Sequence, residues 1–203
     1  MSKFNENNGV LIQGHIKIHD PESGAVFVNK RNAIHYENMS VALAESVANQ
    51  GQGFINSMAF GNGGTSVDPT GIITYLTPNS TGTNASLYNQ TYTKVVDDRS
   101  VTNLDPQRNK IETRHVNGTN YTDVVVTCLL DYGEPNGQDA VDQASQANSL
   151  YVFDELGLVS YSPSGTGKLL THVVFHPVQK SLNRLVQIDY TVRVQSLTGF
   201  NEG

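Results

Sequence analysis

The stretch "FHPVQKSLNRLVQIDYTVRVQ", residues 175–195, decides the fold. Its second half alternates: Val186, Ile188, Tyr190, Val192 and Val194 are apolar, and Gln187, Asp189, Thr191, Arg193 and Gln195 between them are polar. A period of two sends the two sets to opposite faces of a β-strand. The apolar set is expected to close a core. The polar set, Gln187, Asp189, Thr191, Arg193 and Gln195, is expected to form an outward ladder, a candidate interface for a neighbouring protein. The run before it, "KLLTHVVFHPV" (168–178), is expected to lie antiparallel beside it as the last strand pair.

The rest of the chain repeats this pattern. "VLIQGHIKIH" (10–19) keeps Val10, Ile12, Ile16 and Ile18 on one parity, "DPESG" turns, and "AVFVNK" (25–30) returns, which predicts an N-terminal hairpin over 10–30. "FINSMAF" (54–60), "IITYL" (72–76), "TYTKVV" (91–96) and "LYVFDELGLVSY" (150–161) read as further strands. Asn117-Gly118, between "KIETRHV" and "YTDVVVTCLLDY", is a hairpin signal. One stretch departs from the pattern. "HYENMSVALAESVANQG" (35–51) spaces Tyr36, Met39, Leu43 and Val47 helically and places Gly51 where a cap belongs, so a helix over 36–50 is expected with that stripe in the core. One or two helical turns are expected around 139–147, inside the polar stretch 133–149.

Many short strands, one helix and no βαβ rhythm predict a mainly β fold. We expect an antiparallel β-sandwich, jelly-roll-like, with one α-helix and long polar loops. The 203 residues suit a single domain over 1–203, with the hairpin 10–30 and the helix 36–50 as additions to it. The net charge of −6 and the scatter of the 13 Lys and Arg residues argue against direct nucleic-acid binding, which needs concentrated positive charge. The single cysteine, Cys128, excludes an internal disulfide and reads as a small buried hydrophobe. No signal peptide and no membrane-length apolar run are visible, so synthesis in a cytoplasm and no membrane partner are expected.

Each sequence with a flavour of chemistry fails on spacing. "SPSGTGKLL" (162–170) has Ser162 where a Walker loop needs Gly and Leu169 where it needs Ser or Thr. "GNGG" (61–64) leads into no helix that would receive a pyrophosphate. Asp68 beside it is one carboxylate, too few for calcium. His15 and His19, and His172 and His176, are four apart, but on strands that separation is roughly 13 Å, too long for one zinc. The adjacent pairs Asp97/Asp98 and Asp154/Glu155 should point to opposite faces and so not share a substrate. No Gly-x-Ser-x-Gly elbow exposes a serine. No catalytic, cofactor or metal residue is therefore expected, and no enzyme.

Four segments in order, "MAFGNGG" (58–64), "LYNQTYTKVV" (87–96), "FDELGLVS" (153–160) and "GKLLTHVVFHPVQKSLNRLVQIDYTVRV" (167–194), resemble the attachment β-sandwich of tailed-bacteriophage virion proteins, a family of tail-collar, fibre-anchoring and neck domains. The resemblance implies turn-forming roles for Gly61, Gly63 and Gly64, a strand-edge position at Glu155 and Gly157, and Lys180 after a kink at Pro177. It covers most of residues 54–195 and implies no ligand. Fibre members continue into a shaft, which this chain does not carry, so the expectation is a non-enzymatic neck or collar subunit of the virion. Its partners would be copies of itself in a ring or symmetric assembly, together with portal, adaptor, tail or fibre proteins. Strand edges and the loops 65–90 and 133–149 would dock on those neighbours. Capsid decoration, baseplate and fibre anchoring are alternatives. A carbohydrate- or receptor-binding module is a further one, disfavoured because Tyr75, Tyr88, Tyr92 and Tyr161 are scattered and Trp is absent.

Overall fold

The structure, a computed structural model, describes residues 9–82, 84–137 and 150–197; the helical turns expected around 139–147 lie outside the described residues. In chain order the elements are β1 (Gly9–His19), β2 (Val26–Ile34), α1 (Tyr36–Val47), β3 (Ile55–Gly61), β4 (Thr65–Val67), β5 (Ile73–Tyr75), β6 (Gln90–Val95), β7 (Lys110–His115), β8 (Tyr121–Leu130), β9 (Leu150–Ser160), β10 (Thr171–Ser181) and β11 (Val186–Leu197). The fold is mainly β and sandwich-like. Nine strands form one antiparallel sheet in the order β6-β3-β9-β10-β2-β1-β11-β8-β7, and β4 and β5 pair separately.

The long sheet folds over at a single joint. There the ladder between β2 and β10 is limited to Ile34 opposite Thr171 and Ala33 opposite His172. On one side β2, β1, β11, β8 and β7 make a five-stranded layer. On the other, β10, β9, β3 and β6 make a four-stranded layer. The inner faces share one core: Ile16, Ile18, Val126, Cys128, Ile188 and Tyr190 from the first layer, Met58, Phe60, Phe153, Leu156, Leu158 and Phe175 from the second. The alternation that opened the sequence holds here. Val186, Ile188, Tyr190 and Val192 are buried, and Gln187, Asp189, Thr191 and Arg193 are half-buried on the other side.

Three expectations need correction. The hairpin formed by β1 and β2 is no addition, because β1 sits between β2 and β11 and carries Ile16 and Ile18 at the core's centre. β10 and β11 do not pair with each other. β10 joins β9 and β11 lies between β1 and β8, so the chain changes layer between them. The connection Leu182–Leu185 reaches roughly 13 Å when extended, enough to cross the ~10 Å between packed sheets, and adjacency in sequence therefore does not impose a hairpin.

The third correction concerns the helix. It ends at Val47 with Ala48 as its cap, and Asn49 takes the left-handed conformation (φ 52°) ahead of Gly51. Its buried residues are Asn38, Met39 and Ala42, while Tyr36 and Val47 are exposed. The apolar stripe is rotated because the start of α1 is tied to the segment just before β10: the His35 N–H donates to the Leu170 carbonyl (2.9 Å) and the Asn38 side-chain amide to the Leu169 carbonyl (2.9 Å). Beside α1 an apolar pocket of about 210 Å³ remains, lined by Met39, Leu43, Phe54, Ile111, Val124 and Val192.

Ile188 is fully buried, and an aspartate there would hold an unpaired charge in the core. Ile188→Asp is expected to cost on the order of 5 kcal/mol, comparable to a whole domain's stability, and to abolish the cooperative thermal transition seen by circular dichroism. Burial pushes the Cys128 thiol up to about 12. A chromogenic disulfide reagent should leave this thiol untouched in the native protein and titrate it fully in denaturant.

Candidate functional site

The ladder expected from sequence lies at the centre of the outer face of the five-stranded layer. β11 has β1 on one flank and β8 on the other, so its polar side chains meet neighbours in fixed register. Arg193 stands opposite Asp123 and donates to both its carboxylate oxygens (2.7 and 2.8 Å), with its guanidinium 3.8 Å from the Tyr121 ring centroid. The bidentate bond holds the Asp123 carboxyl below its ordinary value. Asp189 pairs with His19 at 2.9 Å and accepts from Gln187 at 2.8 Å. Thr191 faces His15 and Val125, and Gln195 faces Leu11 and Tyr121. On the same face β7 adds Lys110, Glu112 and Arg114, with Glu112 bonded to both cations, and β2 adds Arg31 opposite His15. The ladder is thus a wide polar surface of both charge signs, already fixed by its own ion pairs.

A second constellation is buried. On β10 the register shifts between Val174 and Val178, around Pro177, and Val174 pairs with Glu155 while Val178 pairs with Phe153. Proline removes a ladder donor and is placed at bulges for that reason. The bulge breaks the pleat opposite Asp154 and Glu155, and their carboxylates converge on three consecutive residues. Asp154 accepts from the Gly64 and Thr65 amides, each at 2.9 Å, and from the Thr65 hydroxyl. Glu155 accepts from the amides of Gly63 (3.1 Å), Tyr88 (2.9 Å) and Asn89 (2.8 Å) and from His172 Nε2 (2.9 Å). The Asn79 amide donates to His172 Nδ1 (2.8 Å), which places the neutral ring's proton on Nε2, facing Glu155. Burial works to raise the Glu155 carboxyl, and the bonds from His172, Asn89, Tyr88 and Gly63 outweigh it and hold it below its usual value.

The expectation that Asp154 and Glu155 point to opposite faces is therefore corrected: their carboxylates meet on the consecutive amides of Gly63, Gly64 and Thr65. The strand-edge role implied for Glu155 and Gly157 also fails, since β9 is flanked by β3 and β10. Gly61, Gly63 and Gly64 earn their place by close approach rather than by unusual backbone: a Cβ on Gly61 would lie 2.5 Å from Glu155 Oε1, and one on Gly64 2.9 Å from Val174 Cγ1. Pro177 was the available signal in the sequence for this cluster. With Glu155 and His172 wholly buried and their hydrogen-bonding atoms occupied by the protein, the cluster is a clamp for the segments at 63–65, 79 and 88–89.

The remaining candidates fall to structural roles. His176 contacts Tyr75 and His172 contacts Glu155, so the pair shares nothing. Asp68 Oδ1 accepts from the Thr70 and Ile72 amides and the Thr70 hydroxyl, closing its own turn. Lys180, buried past the Pro177 bulge, donates to the carbonyls of Asp131, Glu134 and Ser181, and burial pulls its pKa down to about 8. No group of three or more metal-ligating residues occurs among the described residues, and no described helix is long and apolar enough to cross a membrane. No protein-family model, curated protein or solved structure matches the chain.

Glu155→Gln would set an NH₂ group against amide donors in the clamp. It should lower stability at neutral pH by about 3 kcal/mol, read as a shift of the urea midpoint. Because the folded Glu155 titrates below its unfolded value of 4.5, its stabilisation is complete above pH 4.5 and is lost as pH falls through the folded value. The gap between wild type and variant should therefore narrow as pH drops below 4.5.

Proposed function

We propose that this protein is a non-enzymatic structural subunit of a tailed-phage virion, assembling at the neck or collar through the outer face of the five-stranded layer. The observation that carries the reading is that face: Gln187, Asp189, Thr191, Arg193 and Gln195 run down its middle, with Arg193–Asp123 and His19–Asp189 fixed before any partner arrives. Side chains already ordered lose less entropy on docking, and interspersed charges favour one register over others. Docking by edges is less favoured. β7, an edge strand, carries Lys110, Glu112 and Arg114, and charge on an edge discourages strand addition. Loop docking is also less favoured for 65–90, whose two ends are held by the buried clamp.

Contact between this face on one copy and a different surface on the next is heterologous, and repeated by rotation it closes a ring. The non-enzymatic part of the reading is supported by the buried acid–base groups, Asp154, Glu155 and His172, all of which bond to backbone or to each other.

Thr191→Arg, at the centre of the ladder, should leave the thermal midpoint nearly unchanged, within about 0.5 kcal/mol, and convert a large closed oligomer into monomers by light scattering. Labelled antibody against the protein should mark the neck of intact particles under the electron microscope. A stable wild-type monomer at all concentrations, or label confined to fibre tips, overturns the reading.

A further inference from the structure

The outer face of the four-stranded layer carries a groove of about 970 Å³ that neither the ladder nor the clamp accounts for. Its floor includes Ser57 of β3 and Val159 of β9, and its walls come from the segments at 84–86, 100–102 and 161–168. The lining is dominated by hydroxyl and carboxamide side chains, and Lys168 is the one charged residue in it among the described residues. That chemistry discriminates between ligands. A phosphate or acidic peptide requires cations, a metal ion requires carboxylates, and an apolar ligand would prefer the smaller pocket beside α1.

Two details show that the groove has unmet binding capacity. Ser57 is 6% exposed and its hydroxyl makes no hydrogen bond among the described residues. Tyr161 lines the groove at 37% exposure with one ring face stacked on Phe54, 5.0 Å between centroids and 7° from parallel. The Tyr161 N–H donates to the Phe54 carbonyl (2.7 Å), and Arg99, held by Asp97 at 3.0 Å, lies 5.3 Å from the Phe54 centroid. The Tyr161 ring is therefore held in place at the groove while part of its surface stays exposed.

We propose that this groove binds a neutral oligosaccharide. A sugar presents hydroxyls that both donate and accept, matching Ser, Thr, Asn and Gln side chains that do the same, and an apolar C–H face that rests on an aromatic ring. The scatter of tyrosines along the sequence does not weigh against such a site, because one ring held by a stack supplies the platform and the strands supply the polar groups. The binding is separate from the proposed assembly face, which lies on the other layer.

The test is saturation-transfer NMR of the full chain at millimolar maltohexaose, cellohexaose and chitohexaose, with polygalacturonate as an acidic control. Transfer to at least one neutral hexamer and none to polygalacturonate is expected. Tyr161→Ala should weaken that binding by about fivefold or more. Since removing the ring also disturbs the Phe54 stack, Ser57→Ala serves as the second variant: it removes the floor hydroxyl without adding bulk and should weaken binding while leaving the thermal midpoint nearly in place. The proposal is overturned by absence of transfer to all three neutral hexamers, by equal transfer to polygalacturonate, or by binding that both variants leave unchanged.

Discussion

Two adjacent carboxylates taken out of water, Asp154 and Glu155, set the terms for the rest of the structure. A buried carboxylate without donors is among the costliest things a fold can contain, so the chain must keep N–H and O–H groups around them. Those donors come from Gly63, Gly64, Thr65, Tyr88, Asn89 and His172. Holding them fixes where the segment after β3 and the segment before β6 must lie. The second of these seats Leu87 against Ala59 and Leu169, a small apolar cluster on the outside of the four-stranded layer. The glycines at 61, 63 and 64 follow from the same close packing: a Cβ would meet the Glu155 carboxylate at Gly61, Tyr88 and Asn89 at Gly63, and Val174 at Gly64.

Much of the β architecture was legible in the sequence. The parity of Val186 to Val194, the Asn117-Gly118 turn and the hairpin of β1 and β2 each rest on local chemistry that no tertiary contact overrode. What was not legible was which strands share a layer. Alternation specifies the face a residue occupies and is silent about the strand beside it, so β10 and β11 read as partners when they belong to opposite layers. The helix stripe failed for a related reason: hydrogen bonds from His35 and Asn38 to Leu170 and Leu169, just before β10, set the rotation of α1, and helical spacing alone carries no information about them. At the candidate sites, the ladder was readable because it depends on parity. The clamp was hidden because its geometry comes from a bulge on a neighbouring strand, about twenty residues further along the chain.

The two layers present different chemistry to their surroundings. Outside the five-stranded layer the side chains are charged and paired with one another. Outside the four-stranded layer the charges give way to hydroxyls and amides around a depression. The stack of Tyr161 on Phe54 stands between that depression and the apolar pocket beside α1, since each ring lines one of the two. A change of ring position on one side is necessarily felt on the other.

The pairing of β1 with β11 joins Gly9 to Leu197 and His19 to Gln187 along its whole length. Both are inner strands of the five-stranded layer, and they are the first and last strands in chain order among the described residues. While the chain is still being made, β1 has one flank empty and β8 has no route to join it, because β11 is the strand that bridges them. Folding of this layer therefore waits for β11, with the slow kinetics that long-range strand pairing brings. The polar ladder sits on β11, so the layer presents that face only once its first and last described strands have paired.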